Sequence, residues 1–284
     1  MPWQRLVYAN DSQSQSSPAS VLRGKGRRLN RTARRGALVA ASAIAVWQAA
    51  AAAGAVNAFL LPSPLRVAEA ALDLLGDGTL PLHVGISLGR VLAGFGFATL
   101  LAVPLAILLC LRPRLIRPVL PLIDLFRHIP PLAMIPLFIL WLGIGETQKV
   151  AVILLAAFFP VFLATQGGIS QVDRRLLEVA QVAGMTEAAQ VWRILLPAAL
   201  PSILVGLRLG FGYSWRALAG AELVAASSGL GWLIVNAEQL ARSDIVLAGV
   251  LVIGMLGLIL DALGTRLIVR LAPWAQAEIT RAHA

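Results

Sequence analysis

From residue 37 onward the chain is a series of long apolar runs separated by short polar breaks. The runs are Ala37–Val56, Val84–Leu111, Val119–Leu142, Val150–Thr165, Ser202–Ala225 and Ile245–Val269. Each is long enough, or nearly so, to cross the roughly 30 Å hydrocarbon layer as a helix. Within each run the apolar residues are continuous rather than alternating, which favours spanning helices over the strands of an outer-membrane barrel. Between the first two runs, Phe59–Pro81 carries Pro62, Pro64, Asp73, Asp77 and several glycines. It reads as a loop with a short surface helix around Leu65–Leu75. The pattern predicts an all-α polytopic membrane protein with about six transmembrane helices.

Composition agrees. Of 284 residues, 58% are apolar and only 13% charged, and the mean hydropathy is +0.79. A soluble domain carries roughly 25% charged residues. The formal net charge of +10 would suggest nucleic acid on a soluble protein, but the distribution of the charges argues otherwise. Residues 1–36 form a basic, polar tail that reads as disordered, with Arg5, Arg23, Lys25, Arg27, Arg28, Arg31, Arg34 and Arg35. Arg112, Arg114 and Arg117 follow the second run, and Arg174, Arg175 and Arg193 follow the fourth. Arg266, Arg270 and Arg281 lie at and beyond the end of the sixth, near or in a short tail over 270–284. The opposite loops hold only Arg66 and Arg242, with Lys149 at a boundary. This positive-inside bias puts both termini in the cytoplasm of a bacterial inner membrane. A polybasic tail beside anionic lipid needs no nucleic acid to explain it. A basic stretch before Ala37–Val56, with Ala53-Gly54-Ala55 beyond, also fits a cleaved signal peptide; the length of the run favours an uncleaved helix. Cys110 sits in an apolar run and reads as a small buried hydrophobe.

Several chemistries are missing. A P-loop requires a lysine followed by Ser or Thr, yet Lys25 precedes Gly26 and Lys149 precedes Val150. The histidines, His83, His128 and His283, are too far apart in sequence to form a metal motif. No Gly-x-Ser-x-Gly elbow occurs. The chain is therefore not expected to be an enzyme, and uphill transport driven by ATP would need an ATPase on another chain.

The largest polar break, 170–198, has its own pattern. Asp173 is an N-cap candidate, and Leu176, Val179, Ala180 and Ala183 share a helix face while Arg174, Glu178 and Gln181 line another. Gly184 suits a left-handed helix end. Thr186 can cap a second helix bearing Ala188, Val191, Trp192 and Leu195, before Pro197 and Pro201 mark the start of the next run. Physics alone leaves two readings open: a surface-lying amphipathic pair or a docking surface for a partner.

Glu178-x-Ala180, Gly184 ten residues before Ile194, and then Leu196-Pro197 resemble the loop signature of permease subunits of binding-protein-dependent ABC importers, with Val179 replacing the middle alanine. Other stretches narrow the resemblance to the sulfonate/nitrate/taurine type. They are Leu61-Pro-Ser-Pro64, Ser87-Leu-Gly-Arg90, Arg127-His128-Ile-Pro130-Pro131, Trp141-Leu-Gly143-Ile-Gly145, Trp215-Arg216, Ala221-Glu222 and Ser227-Ser-Gly-Leu-Gly-Trp232. The match runs from about residue 45 to 274. The resemblance implies a type I ABC importer permease fold, with a transmembrane domain over 37–269 that carries a coupling loop at 170–198. It also implies a second permease copy, two cytoplasmic ABC ATPase subunits and a periplasmic or lipid-anchored binding protein. The chain itself would bind no cofactor; ATP and Mg would sit in the partner ATPase. Glu178, Ala180, Gly184, Leu196 and Pro197 carry over as the coupling loop, and Arg174 and Arg175 are added as flanking charges that could pair with the ATPase. The cargo class implied is a small anion: an aliphatic sulfonate, taurine or nitrate.

Arg90, Asp124, Arg127, His128, Arg208, Arg216, Glu222 and Asp261 lie in or near spans. Such residues are costly in lipid unless paired or wet. Asp124, Arg127 and His128, at i, i+3 and i+4, could neutralise one another. Pro130 and Pro131 directly follow and free backbone groups that need protein or cavity water. Arg127, His128, Pro130, Pro131, Tyr213, Arg216 and Glu222 are therefore the candidate pathway residues, with an Arg216–Glu222 structural pair as the competing reading. Gly206-x-x-x-Gly210 and Gly212 give the fifth span a small packing face. An ion-coupled secondary transporter or channel is the alternative function, although nothing in it requires the 178–197 pattern. An intramembrane enzyme would need a nucleophile–base pair or metal cluster that the sequence does not display.

Overall fold

The computed structural model describes residues 35, 36, 38–54, 57 and 59–271. The basic tail, apart from its last two residues, and the C-terminal tail beyond 271 lie outside the described residues. The chain falls into two compact units that divide after Leu65. In the first, the described helix is α1, Leu38–Ala52, apolar but shorter than a full span.

Across the division runs α2, Pro64–Gly76, which buries Val67, Ala70 and Leu74 along one stripe. It matches the short helix expected around Leu65–Leu75. Asp77 Oδ1 then accepts the Thr79 backbone N–H at 2.9 Å. That bond, followed by the Thr79 side chain, holds the Asp77 carboxyl below its usual pKa. It opens α3, Thr79–Leu111. After α3 come α4 (Pro113–Arg127), a 3₁₀ turn (Pro131–Met134), α5 (Ile135–Leu142) and α6 (Glu146–Ser170). Next are α7 (Arg174–Val182), α8 (Glu187–Gln190), a π turn (Val191–Leu195), α9 (Leu196–Ala225), α10 (Leu230–Gln239) and α11 (Ser243–Leu271). Among the described residues, four helical stretches are long and apolar enough to cross a membrane; the bent α4–α5 pair makes five if it counts as one span.

That pair differs from the single helix expected over Val119–Leu142. Its two arms meet at 88°. Pro130 is extended, with ψ 126°, because the proline that follows it disfavours the α region. Neither proline supplies a backbone N–H, so the helical ladder stops at His128 and restarts at the 3₁₀ turn.

The core is α6 packed between α3 and α9. Small residues allow close approach: a methyl added to Gly206 would lie 2.4 Å from the Ala164 Cβ, and one on Gly210 would lie 2.6 Å from a Val161 methyl. The Gly206–Gly210 face is thus spent inside the subunit on α6. Gly94 meets Ile153, and Gly168 meets Ser202 and Ala199, in the same manner. These pairings make α3 and α6 parallel and α9 antiparallel to both. Trp215 Nε1 donates to Ile253 O at 3.2 Å, which ties α11 alongside α9. Within the second unit, the described arginines at 112–117, 174–193 and 266–270 then fall at one end of the bundle, where Arg112 meets Glu187 at 3.5 Å.

Candidate functional site

At the basic end, Asp173 Oδ1 accepts the Arg175 backbone N–H at 2.9 Å and starts α7. The helix stops in a Schellman turn. Met185 N donates to Ala180 O at 3.0 Å, Gly184 N donates to Gln181 O at 2.9 Å, and Gly184 has φ 71°. A left-handed residue at this position closes the last carbonyls of the helix, and glycine adopts it without strain. Thr186 Oγ1 then accepts the Ala189 backbone N–H at 3.3 Å and opens α8.

Pro197 and Pro201 do not separate the loop from the span: helical structure runs without interruption from Glu187 to Val224. Pro197 has no N–H to offer the carbonyl one turn back. The π turn just before it instead lets Leu196 N donate to Val191 O. The second half of the loop is therefore the head of span five, and displacement of one moves the other. Single π turns of this kind recur at functional sites.

The α7 surface divides differently from the periodicity reading. Ala180 is turned inward, only 3% exposed, and Leu177 packs with Ile169, Leu195 and Ala199. Arg174, Arg175 and Glu178 point outward, as do Leu176 and Val179. Val182 is 91% and Trp192 72% exposed. Large apolar side chains left uncovered on one rim around a carboxylate are the signature of an interaction surface. Leu196 is half-buried and Pro197 exposed at the loop's exit. Val182 was not singled out by sequence, and Trp192 was placed on one face with Leu195, which is in fact buried while Trp192 is exposed.

The candidate pathway residues do not form one cluster. Arg127 Nε pairs with Asp124 Oδ1 at 2.9 Å, so those two neutralise each other, while His128 Nδ1 lies 2.5 Å from the Asp124 backbone carbonyl and takes no part in the ion pair. The 3₁₀ turn sends Leu132 onto Gly220 of α9, where an added methyl would come within 2.6 Å of it. Tyr213 and Arg216 lie on the exposed stripe of α9, with the guanidinium carbon 5.0 Å from the ring centroid.

Glu222 is elsewhere, and the Arg216–Glu222 pair is not formed. Glu222 is 1% exposed and meets Arg90 Nη1 at 2.6 Å. Arg90 also pairs with Glu146 at 2.6 Å through Nε and Nη2 and donates to Ser228 O and Oγ at 2.6 and 2.8 Å. Ser87 Oγ donates to Glu222 and accepts the Leu230 N–H at 2.9 Å. Gly231 N donates to Glu222 Oε2 at 2.9 Å, and Gly229 N to His83 Nδ1 at 3.0 Å. Gly229, at φ 104°, leaves no room for a side chain, since a methyl would sit 2.2 Å from Glu222 Oε1. This clamp joins α3, α6, α9 and the loop before α10 at the end opposite the arginines. Sequence reading noted Arg90 and the Ser227–Trp232 stretch but had no signal that they meet.

Comparison with known proteins follows the same lines. Residues 94–273 match the family described as binding-protein-dependent transport system inner membrane component. The chain is 39% identical over 238 residues to the taurine transport system permease protein TauC of Escherichia coli (strain K12), covering 81% of this chain and 86% of that one. It is 38% identical over 240 residues to the putative aliphatic sulfonates transport permease protein SsuC of Bacillus subtilis (strain 168), covering 84% and 87%. It is 30% identical over 236 residues to the nitrate import permease protein NrtB of a Synechocystis strain, covering 80% and 85%. A chain of the MetNI methionine ABC transporter in an inward-facing conformation shares the fold, with a TM-score of 0.59 at 20% identity, covering 66% of this chain and 93% of that one.

Proposed function

The chain belongs to the family of binding-protein-dependent transport system inner membrane components, and from that premise we propose that it is the permease of an ATP-driven importer of small anionic solutes. The names of its relatives favour taurine, aliphatic sulfonates or nitrate as cargo. In this reading two copies form the pathway, two ABC ATPase subunits bind from the cytoplasm, and a periplasmic or lipid-anchored binding protein delivers the solute. The basic end of the bundle, with both termini, faces the cytoplasm. ATP and Mg act in the partner ATPase.

The observation that carries this reading is the uncovered rim of α7 and the π turn. Glu178, Leu176, Val179, Val182 and Trp192 stand outward on a helix pair locked by the Gly184 turn. Arg174 and Arg175 flank them. Ala180 serves from behind, where its small side chain lets α7 sit close on its own subunit. ATP closing the ATPase dimer would draw two such rims together. Because the docking segment is continuous with α9, that displacement turns a span rather than flexing a loop, and the pathway switches access. Leu132 against Gly220 passes the movement to the α4–α5 bend, whose Arg127, His128, Pro130 and Pro131 border the route.

Co-expression with an ABC ATPase subunit of a taurine, sulfonate or nitrate importer from the same genome tests the docking. The tagged chain is expected to retain that ATPase in equimolar amount. Val182→Asp, which places a charge in the apolar rim, is expected to reduce capture at least ~10-fold, about 1.4 kcal/mol or more. Unchanged capture by Val182→Asp would remove this face from the interface.

A further inference from the structure

We infer that Arg216 is the anion contact of the transport path, a transit site that the cargo touches on its way through the membrane; the inference rests on the importer reading above.

The argument is an accounting of positive charge. Most of the chain's Lys and Arg residues belong to the arginine-rich end, and Arg66, Lys149 and Arg242 belong to the opposite one. Four basic residues remain outside these two groups: Arg90, Arg127, Arg208 and Arg216. Three of them have a carboxylate of their own. Arg90 holds Glu146 and Glu222, Arg127 holds Asp124, and Arg208 holds Asp261 at 2.7 Å. Arg216 pairs with no carboxylate among the described residues. Its contact is the Tyr213 ring.

Arg216 lies inside the apolar spanning stretch Glu187–Val224, about 12 Å before its end by a 1.5 Å rise per residue. A guanidinium at that depth is costly unless paired or wet. It is exposed, on the stripe that continues through Tyr213 and Leu209. One turn further along α9, Gly220 receives Leu132 of the broken span. Irregular backbone at membrane depth is tolerated where it is buried in protein or lines a water-filled cavity. An unpaired cation and an interrupted helix therefore border the same face.

The geometry suits an oxyanion. The guanidinium carbon lies 5.0 Å from the Tyr213 ring centroid, an aromatic contact that consumes no acceptor, and the N–H fork of an arginine matches two oxygens of a sulfonate or nitrate. One arginine without a cage of further donors is also what transit requires, since a carried ion must leave as readily as it arrives.

The test uses the assembled transporter with its ATPase and binding protein in proteoliposomes. Labelled taurine, ethanesulfonate and nitrate serve as probes. Arg216→Gln is expected to lower the initial uptake rate ~10-fold or more while the complex assembles and hydrolyses ATP, so that ATP consumed per solute moved rises accordingly. Arg216→Lys, which keeps the charge, is expected to recover much of the rate. Uptake by Arg216→Gln at the wild-type rate would overturn the inference. Failure of Arg216→Gln to assemble, rescued by Arg216→Lys, would also overturn it by making Arg216 a structural pair between copies. Absence of ATP-driven uptake of all three probes by the wild type would instead overturn the importer reading for this cargo class, and the inference with it.

Discussion

Glu222→Ala is expected to remove most of the folded protein from a detergent extract. Both ends of the Arg90–Glu222 pair are buried, with side chains 4% and 0% exposed. Lys149 is also buried and pairs with Glu146 at 3.1 Å, so deleting Glu222 leaves two buried cations to one carboxylate, and breaking a buried pair in this way costs about 3–5 kcal/mol. Ser87 and the Gly231 N–H lose their acceptor in the same step. Asp244 offers the control. It pairs with Arg242 through side chains 22% and 52% exposed, so Asp244→Asn is expected to lower stability far less. Thermal unfolding followed by size-exclusion profile distinguishes the two. Equal midpoints for Glu222→Ala and the parent chain would show that the clamp does not hold these spans together.

Gly184→Pro is expected to leave the subunit in the membrane and abolish ATP-dependent uptake. Gly184 sits at φ 71° and donates its N–H to Gln181 O. Proline is fixed near φ −65° and has no N–H, so the Schellman turn cannot form. The angle between α7 and the helix that begins at Thr186 is then lost. Glu178→Arg changes no backbone geometry and only reverses one outward charge, and it is expected to give the same loss of uptake through failed docking. Membrane content measured by immunoblot beside uptake separates loss of coupling from loss of protein. Normal uptake by either variant would contradict the docking role.

Four of the six expected spans and the turns of the loop were legible because their signals are local, while Ala37–Val56 gives a helix, Leu38–Ala52, short of a span. Apolar runs of spanning length, Asp173 and Thr186 at cap positions, and Gly184 at a helix end are all read within a few residues of themselves. The bend was half legible. Pro130 and Pro131 announced a break, but the 88° turn depends on Leu132 finding Gly220. The continuity of α8 with α9 was hidden because proline ordinarily interrupts a helix, and only a π turn carries the chain past Pro197. The clamp was not legible. Arg90 and Glu222 are 132 residues apart, and nothing in either neighbourhood says which carboxylate serves which arginine. The same gap led the sequence to offer Arg216 the partner that Arg90 holds. The rim of α7 was read from a face that includes Ala180, whereas Leu177 packs with Ile169, Leu195 and Ala199, and Ala180, one turn further, is turned inward with it.

Uptake into proteoliposomes by defined components tests the central claim most directly. The chain alone, the chain with its ATPase, and the chain with both ATPase and binding protein are compared, with ATP or with an imposed ion gradient. The expected result is concentrative uptake of the anion only with all components and ATP. Gradient-driven uptake by the chain alone would contradict it and make the protein a secondary transporter.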